Sequence, residues 1–257
     1  MKVNDLPCHH ILGTPVRATS YADLTFFCQQ ESKKDRVISL DFSNTQIITM
    51  RCLDAAFREQ TSNVDYFIPD GMPLIWCLNN QQANLKDRVY GPAFMKHCVN
   101  HSPKPFTHFF LGGSDACLEQ LKQAFEKWQP EVQVVGMQNG YFKEESSAEI
   151  VQEINRLGPD FIWVGLGTPK QQAWIHQHKD EIKRGLLLAV GFAFDVNAGT
   201  KPDAPMWMQN MGLGWLFRLL SEPRRLFGRY LYYNTMFLFL LVRGLLKGNA
   251  WKRGFAP

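Results

Sequence analysis

The sequence predicts an α/β fold: a Rossmann-like, doubly wound, mostly parallel sheet followed by a C-terminal helical appendage. Six short apolar runs alternate with segments of helical periodicity, and most of the runs end in Gly or Asp-Gly. Strands that are apolar throughout, rather than alternating, belong in a sheet covered on both faces. With 257 residues, 45% hydrophobic and 20% charged, the chain can build such a core.

In chain order, VISLD (37–41) reads as a buried strand, and 45–60 carries a helical pattern through Ile47, Ile48, Cys52, Ala55 and Ala56. DYFIPDG (65–71) is a strand ending in a turn, after which 73–78 begins a helix. THFFLGG (107–113) runs into a helix over 114–128, with Leu118, Leu121, Ala124 and Phe125 on one face. VQVVG (132–136) leads through NGYF to a helix around 150–157. FIWVGLG (161–167) leads to TPKQQAWIHQH, and the strand at 186–191 leads to FAFDVNAG.

The formal net charge of +4 conceals an asymmetry. Residues 201–257 hold nine basic and two acidic residues, a net +7, leaving 19 basic and 22 acidic residues, a net −3, in 1–200. The chain therefore divides into a slightly acidic α/β body over 1–200 and a basic, aromatic appendage over 201–257, where a polyanionic partner should bind. The six cysteines stand singly and read as reduced thiols, and His97, Cys98 and His101 lack the second ligand pair of a metal site. The segment MKVNDLPCHH has no apolar signal core, so export is not expected. The uncharged run at 230–242 has 13 residues, short of the roughly 20 that span a bilayer.

Ligands of doubly wound sheets lie beyond the carboxyl ends of the strands. Those ends here are Asp70-Gly71, Gly112-Gly113, Gly136, Gly165-Leu166-Gly167 and Gly191. The loops at 112–115 and 167–171 each open a helix, the second with Thr168 as N-cap and Pro169 at the first helical position, and are candidate phosphate cradles. Neither is GxGxxG or a P-loop, which removes the usual support for dinucleotide or ATP binding. Asp70, at a strand mouth after Pro69, is either a turn residue or a general base; Asp195 has the same ambiguity. With no DxD in the sequence, no metal ligands and no cofactor are expected, and leaving-group charge would fall to helix amides and to Arg or Lys.

The segments NTQIITM (44–50), IPDGMPLIW (68–76), DRVYGPAFM (87–95), FLGGSDA (110–116), NGYF (139–142), VGLGTPKQQAWI (164–175), GFAFDVNAG (191–199) and PMWMQNMGLGWLFRLLSEPRRLFGRY (205–230) complete the pattern. In order and wording they resemble the WecG/TagA/CpsF family of bacterial glycosyltransferases, most closely its exopolysaccharide-type members. The resemblance implies an inverting, metal-independent transfer from a UDP-sugar (glucose, N-acetylmannosamine or a uronic-acid form) to a polyprenyl-diphosphate-linked saccharide. It implies Asp70 as the base, with Arg88 and Gln171 in the catalytic set. For the donor it implies Asn44, Gly71, Gly112, Gly113, Asn139, Gly140, Tyr141, Gly165, Gly167, Lys170 and Asp195. Arg218, Arg224, Arg225 and Arg229 would meet the acceptor diphosphate and the membrane. Phe42 stands where the family pattern has Thr, which bears on donor identity. The implied setting is peripheral, on the inner face of the bacterial plasma membrane, with self-association of the body compatible with the sequence. A non-catalytic nucleotide-sugar or lipid-binding module is the alternative. A nucleic-acid arm is disfavoured by the apolar band at 237–242, so no nucleic-acid partner is expected.

Overall fold

The structure, a computed structural model, describes residues 6–102 and 105–252, apart from the side chain of Asn210. The export reading of the N-terminus therefore lies partly outside the described residues, as does the appendage beyond Lys252.

The hairpin β1 (Cys8–Ile11) and β2 (Thr14–Arg17) precedes α1 (Tyr21–Glu31). Then β3 (Val37–Ser43) leads to α2 (Thr45–Leu53) and α3 (Ala55–Glu59), and β4 (Tyr66–Pro69) to α4 (Met72–Asn79) and α5 (Gly91–Asn100). Three units follow: β5 (Thr107–Gly112) with α6 (Asp115–Trp128), β6 (Gln133–Gln138) with α7 (Ser147–Leu157), and β7 (Phe161–Gly165) with α8 (Lys170–His178). After β8 (Gly185–Ala189) come α9 (Ala193–Asn197), α10 (Met206–Asn210), α11 (Gly214–Ser221) and α12 (Pro223–Leu246).

One sheet has the order β1-β2-β4-β3-β8-β7-β5-β6, parallel throughout except for the β1–β2 edge hairpin. Its strands alternate sides. Phe161 and Trp163 of β7 and Leu186 and Leu188 of β8 face a core made with α1, α5, α6 and α9, whereas Ile162, Val164, Leu187 and Ala189 face α7 and α8. Burial on both faces explains why these strands read as unbroken apolar runs. A third cluster, under the β1–β4 end, joins Ile48 of α2 and Leu74 and Leu78 of α4 to Phe237 and Leu240 of α12.

Several local expectations change. The segment 45–60 is two helices, because the Asp54 carboxylate accepts the Ala56 and Phe57 amides and starts a second one. Thr168 is not the N-cap of α8: Pro169 holds that position across a cis Thr168–Pro169 bond, without a side-chain cap, and the Thr168 hydroxyl accepts instead from Gln172. The 230–242 run lies within a 24-residue helix, so polarity rather than helix length is what limits it. Among the described residues no helix is long and apolar enough to cross a membrane. The C-terminal helices pack against the rest of the chain: the Thr45 hydroxyl donates to Asn234 Oδ1 at 2.7 Å, and the Leu12 amide to the Ala250 carbonyl at 2.9 Å.

Candidate active site

The carboxyl ends of the strands line up along one edge of the sheet, and Asp70, immediately after β4, sits at the meeting of two cavities. The first, about 490 Å³, is polar and lies over the ends of β3, β5, β7 and β8, lined by Gly113, Ser114, Gly165, Gly167, Gln171 and Gly191. The second, about 690 Å³, runs from Asp70 between α4 and α12 and is mostly apolar. Asn44, Gln46, Asp70, Tyr90, Arg218 and Tyr230 border both.

Asp70 accepts a long hydrogen bond from the Gly91 amide, 3.4 Å to Oδ1. Its pKa is raised from 3.8 to about 7, first by burial; Arg88, Arg218 and the Gly91 amide pull the other way, and Asp41 adds to the rise. A carboxylate poised there is half-ionised near neutrality, as a general base should be. Arg88 is 8% exposed and lies over the Tyr90 ring, 4.9 Å from its centroid. The Tyr90 hydroxyl donates to Asp203 at 2.8 Å, which ties the start of α5 to the appendage.

Asn44 is the N-cap of α2, its Oδ1 accepting the Gln46 and Ile47 amides at 3.0 and 3.3 Å. The carboxamide oxygen is thus committed to the helix, leaving its amide NH₂ for a ligand. Gln171 is 4% exposed, and its Oε1 accepts from the Gly167 amide at 3.2 Å. It braces the loop after β7 and takes one of the free amides that the cradle reading had assigned to phosphate.

Not every expected donor residue reaches a cavity. Gly71, Gly113, Gly140, Tyr141, Gly165, Gly167 and Asp195 do. Gly112 does not: a Cβ there would fall 2.4 Å from the Gly165 carbonyl carbon, so this glycine permits close approach of β5 and β7. Asn139 braces its own loop, donating to Asp115 at 2.9 Å and accepting from the Tyr141 amide. Lys170 donates to the Gly140 carbonyl at 2.7 Å and lies outside both linings.

The arginines separate. Arg225 and Arg229 border only the polar cavity and Arg218 borders both, whereas Arg224 is exposed and outside them. Arg218 stacks over Phe192 at 3.8 Å and Arg225 pairs with Glu222. Among the described residues neither Arg218 nor Arg229 has a carboxylate within ion-pair distance. Burial pulls the Arg229 pKa down, and Arg225 and Arg218 add to the fall. Among the described residues its buried Nε has no hydrogen-bond partner. Arg218 and Arg229, which border the polar cavity without an ion pair, are available to an anionic ligand.

Lys201, Phe192, Gln46 and Trp76 were not anticipated from sequence. Lys201 borders the polar cavity and pairs with Asp195 at 3.5 Å and Glu222 at 3.2 Å. A Lys two residues past the glycine closing GFAFDVNAG was the available signal. Phe42 borders the polar cavity and packs on Phe94, with ring centroids 5.2 Å apart. The His97 and His101 rings stack at 4.0 Å while Cys98 is buried in the core. Among the described residues no group of three His, Cys, Asp or Glu side chains is placed to hold a metal.

A doubly wound sheet with a polar cavity over its strand ends, and a carboxylate shared with a mostly apolar second cavity, offers adjoining compartments to two ligands of different polarity. The model of the glycosyl transferase WecG/TagA/CpsF family matches residues 9–250, and the chain belongs to that family and is a glycosyltransferase. Among curated relatives, the N-acetylglucosaminyldiphosphoundecaprenol N-acetyl-beta-D-mannosaminyltransferase of Staphylococcus aureus strain MW2 is 26% identical over 207 residues, covering 79% of this chain and 78% of the relative. The enzyme of the same name from strain NCTC 8325 / PS 47 matches to the same extent.

Proposed function

We propose that the protein transfers a hexosyl group, with inversion, from a UDP-sugar to a sugar carried on a polyprenyl diphosphate, in assembly of a bacterial surface polysaccharide. The observation that carries this reading is Asp70 at the shared boundary of a polar cavity and a mostly apolar one, with its pKa raised to about 7. The UDP-sugar would lie over the strand ends, its diphosphate facing Arg218, Arg225 and Arg229. The acceptor would enter from the α4–α12 side. Asp70 takes the proton of the acceptor hydroxyl as its oxygen attacks the anomeric carbon, and the bond to UDP breaks on the opposite face. The arginines and Lys201 offset the charge on the departing diphosphate, the role a metal ion fills in DxD enzymes.

The donor falls among glucose, N-acetylmannosamine and their uronic-acid forms. The names of the relatives favour N-acetylmannosamine, whereas the sequence wording favours an exopolysaccharide setting. Exposed Met206, Trp207, Leu220, Leu231, Phe239, Val242 and Leu246 of the last three helices, on a +7 segment, suit peripheral attachment to the anionic inner face of the plasma membrane.

The test is transfer from a panel of UDP-sugars to a short isoprenyl-diphosphate-linked sugar, with and without EDTA. Asp70→Asn should lower kcat/KM by roughly 10²–10⁴-fold and leave UDP affinity within a few fold. Full transfer by Asp70→Asn, or loss of transfer in EDTA, would overturn the mechanism. UDP-sugar binding with no transfer by the native protein would favour a non-catalytic module.

A further inference from the structure

The larger cavity contains two chemical environments in sequence. At the Asp70 end its charged lining residues are gathered: Asp70 itself, Arg88, Asp203 and Arg218, with Asp203 held by Tyr90. From there it follows α4 and α12 outward and becomes apolar, lined by Trp76, Cys77, Leu238, Leu241, Leu245 and Trp251. Both helices leave the active site in the same direction. The first turn of α4 adjoins Asp70, and the Gln81 side chain just past its end donates to the His10 carbonyl in the edge hairpin. On α12, Tyr230 borders the shared boundary, and the chain past its end meets the same hairpin through Leu12 and Ala250. At 1.5 Å rise per residue, Tyr230 to Leu245 spans about 22 Å. The groove is open along its rim, where Trp76 is 63%, Leu238 59% and Leu245 48% exposed.

We infer that this groove holds the first isoprene units of the acceptor's carrier chain, so that the enzyme selects its acceptor by the chain as well as by the sugar. The inference rests on the proposed function. Two observations commit the groove to this occupant. It is continuous with the site that takes the acceptor hydroxyl, and at that end Arg88, with Arg218 on the boundary of both cavities, supplies guanidinium groups beside Asp70 and Asp203 where a diphosphate would join a linear apolar chain. A bilayer-facing patch would need no such graded lining, and a second protein copy no such arginine-bearing polar end. A consequence is that short, water-soluble isoprenyl diphosphates bind without any bilayer.

Three probes in detergent-free buffer test this by calorimetry: farnesyl diphosphate, farnesol and inorganic pyrophosphate. Farnesyl diphosphate should bind at least tenfold more tightly than pyrophosphate or farnesol. Leu238→Arg and Trp76→Ala alter exposed groove residues and should preserve the fold, checked by circular dichroism. Each should remove most of that advantage and leave pyrophosphate affinity unchanged. Phe239→Arg, on an exposed α12 residue outside both cavities, should keep it. Equal affinity for farnesyl diphosphate and pyrophosphate would overturn the inference. So would an advantage that survives both groove variants, or one that Phe239→Arg removes equally, which would mark a general lipid-facing surface. Sugar transfer is measured separately. Chain-dependent binding without transfer counts against the proposed function alone, and transfer without chain dependence counts against the groove alone.

Discussion

The two cavities that meet at Asp70 are built by different means. The polar one is a product of backbone topology: parallel strands end in register along the sheet, and short loops such as Gly113, Gly165–Gly167 and Gly191 place amides and small residues over those ends. The apolar one is a product of side-chain packing between α4 and α12, segments some 150 residues apart in the chain. The first is framed by loops that each hang from their own strand. The second has a wall that is also core, since Phe237 both lines the groove and fills the cluster beneath the edge hairpin.

That difference has a direct energetic test. Phe237 is 1% exposed among Ile48, Leu74 and Leu78. Phe237→Ala should cost about 3–5 kcal/mol of stability, measured by urea denaturation. A loss below about 1 kcal/mol would mean that α12 is a detachable flap, and the contrast between a topological and a packed cavity would fail.

Asp70 belongs to both cavities, and its predicted effect is next in size. Its folded pKa, about 7, lies above the unfolded value of 3.8 because burial penalises the ionised form. Between those values the folded state holds the proton more tightly, so this residue's contribution to stability declines as pH rises through the window, then levels off above 7. Asp70→Asn abolishes the ionisation. At about 1.36 kcal/mol per pKa unit the ceiling is ~4 kcal/mol, and a gain of about 2–4 kcal/mol at pH 8 is expected, vanishing near pH 4. Thermal denaturation of both proteins at the two pH values measures it. Native kcat/KM should fall on the acid side with a midpoint near pH 7. Equal stabilisation at both pH values would show that the carboxylate is not held at a cost for function.

The contrast also explains what was legible in the sequence. Six strands and the strand-end position of Asp70, Gln171 and Asp195 follow from apolar runs closed by glycine, because local pattern and topology suffice for them. The β1–β2 hairpin, α1 and α5 were not anticipated: α1 carries weak periodicity, and α5 is started by Tyr90-Gly91-Pro92, a signal that reads equally as a turn. Gly112 and Asn139 look like ligand residues in sequence, yet one permits strand approach and the other braces a loop. The arginine cluster shows the same limit: Arg224 and Arg225 are adjacent, but helical geometry sends only Arg225 to the polar cavity. The groove was the least legible feature, since no local pattern pairs Trp76 with Leu238.

The smallest predicted effect isolates the polar cavity. Lys170 is exposed, with its ammonium donating to the Gly140 carbonyl at 2.7 Å and lying 4.6 Å from the Phe142 ring centroid. It thereby fastens the loop after β6 to the start of α8, two of the segments that frame the polar cavity, without lining that cavity itself. Lys170→Met keeps most of the aliphatic stem and removes the donor. Losing one hydrogen bond of this kind is worth about 0.5–1.5 kcal/mol, so the donor KM should rise about 2- to 10-fold while kcat stays unchanged. Farnesyl diphosphate affinity should not move, because the loop does not border the groove. Steady-state kinetics with the donor varied, alongside the calorimetric probe, reads both sides of the comparison at once. A fall in kcat would place Lys170 on the reacting groups instead of on the loop. A parallel loss of farnesyl diphosphate affinity would show that the two cavities are coupled through α8 and Asp70 rather than independently built.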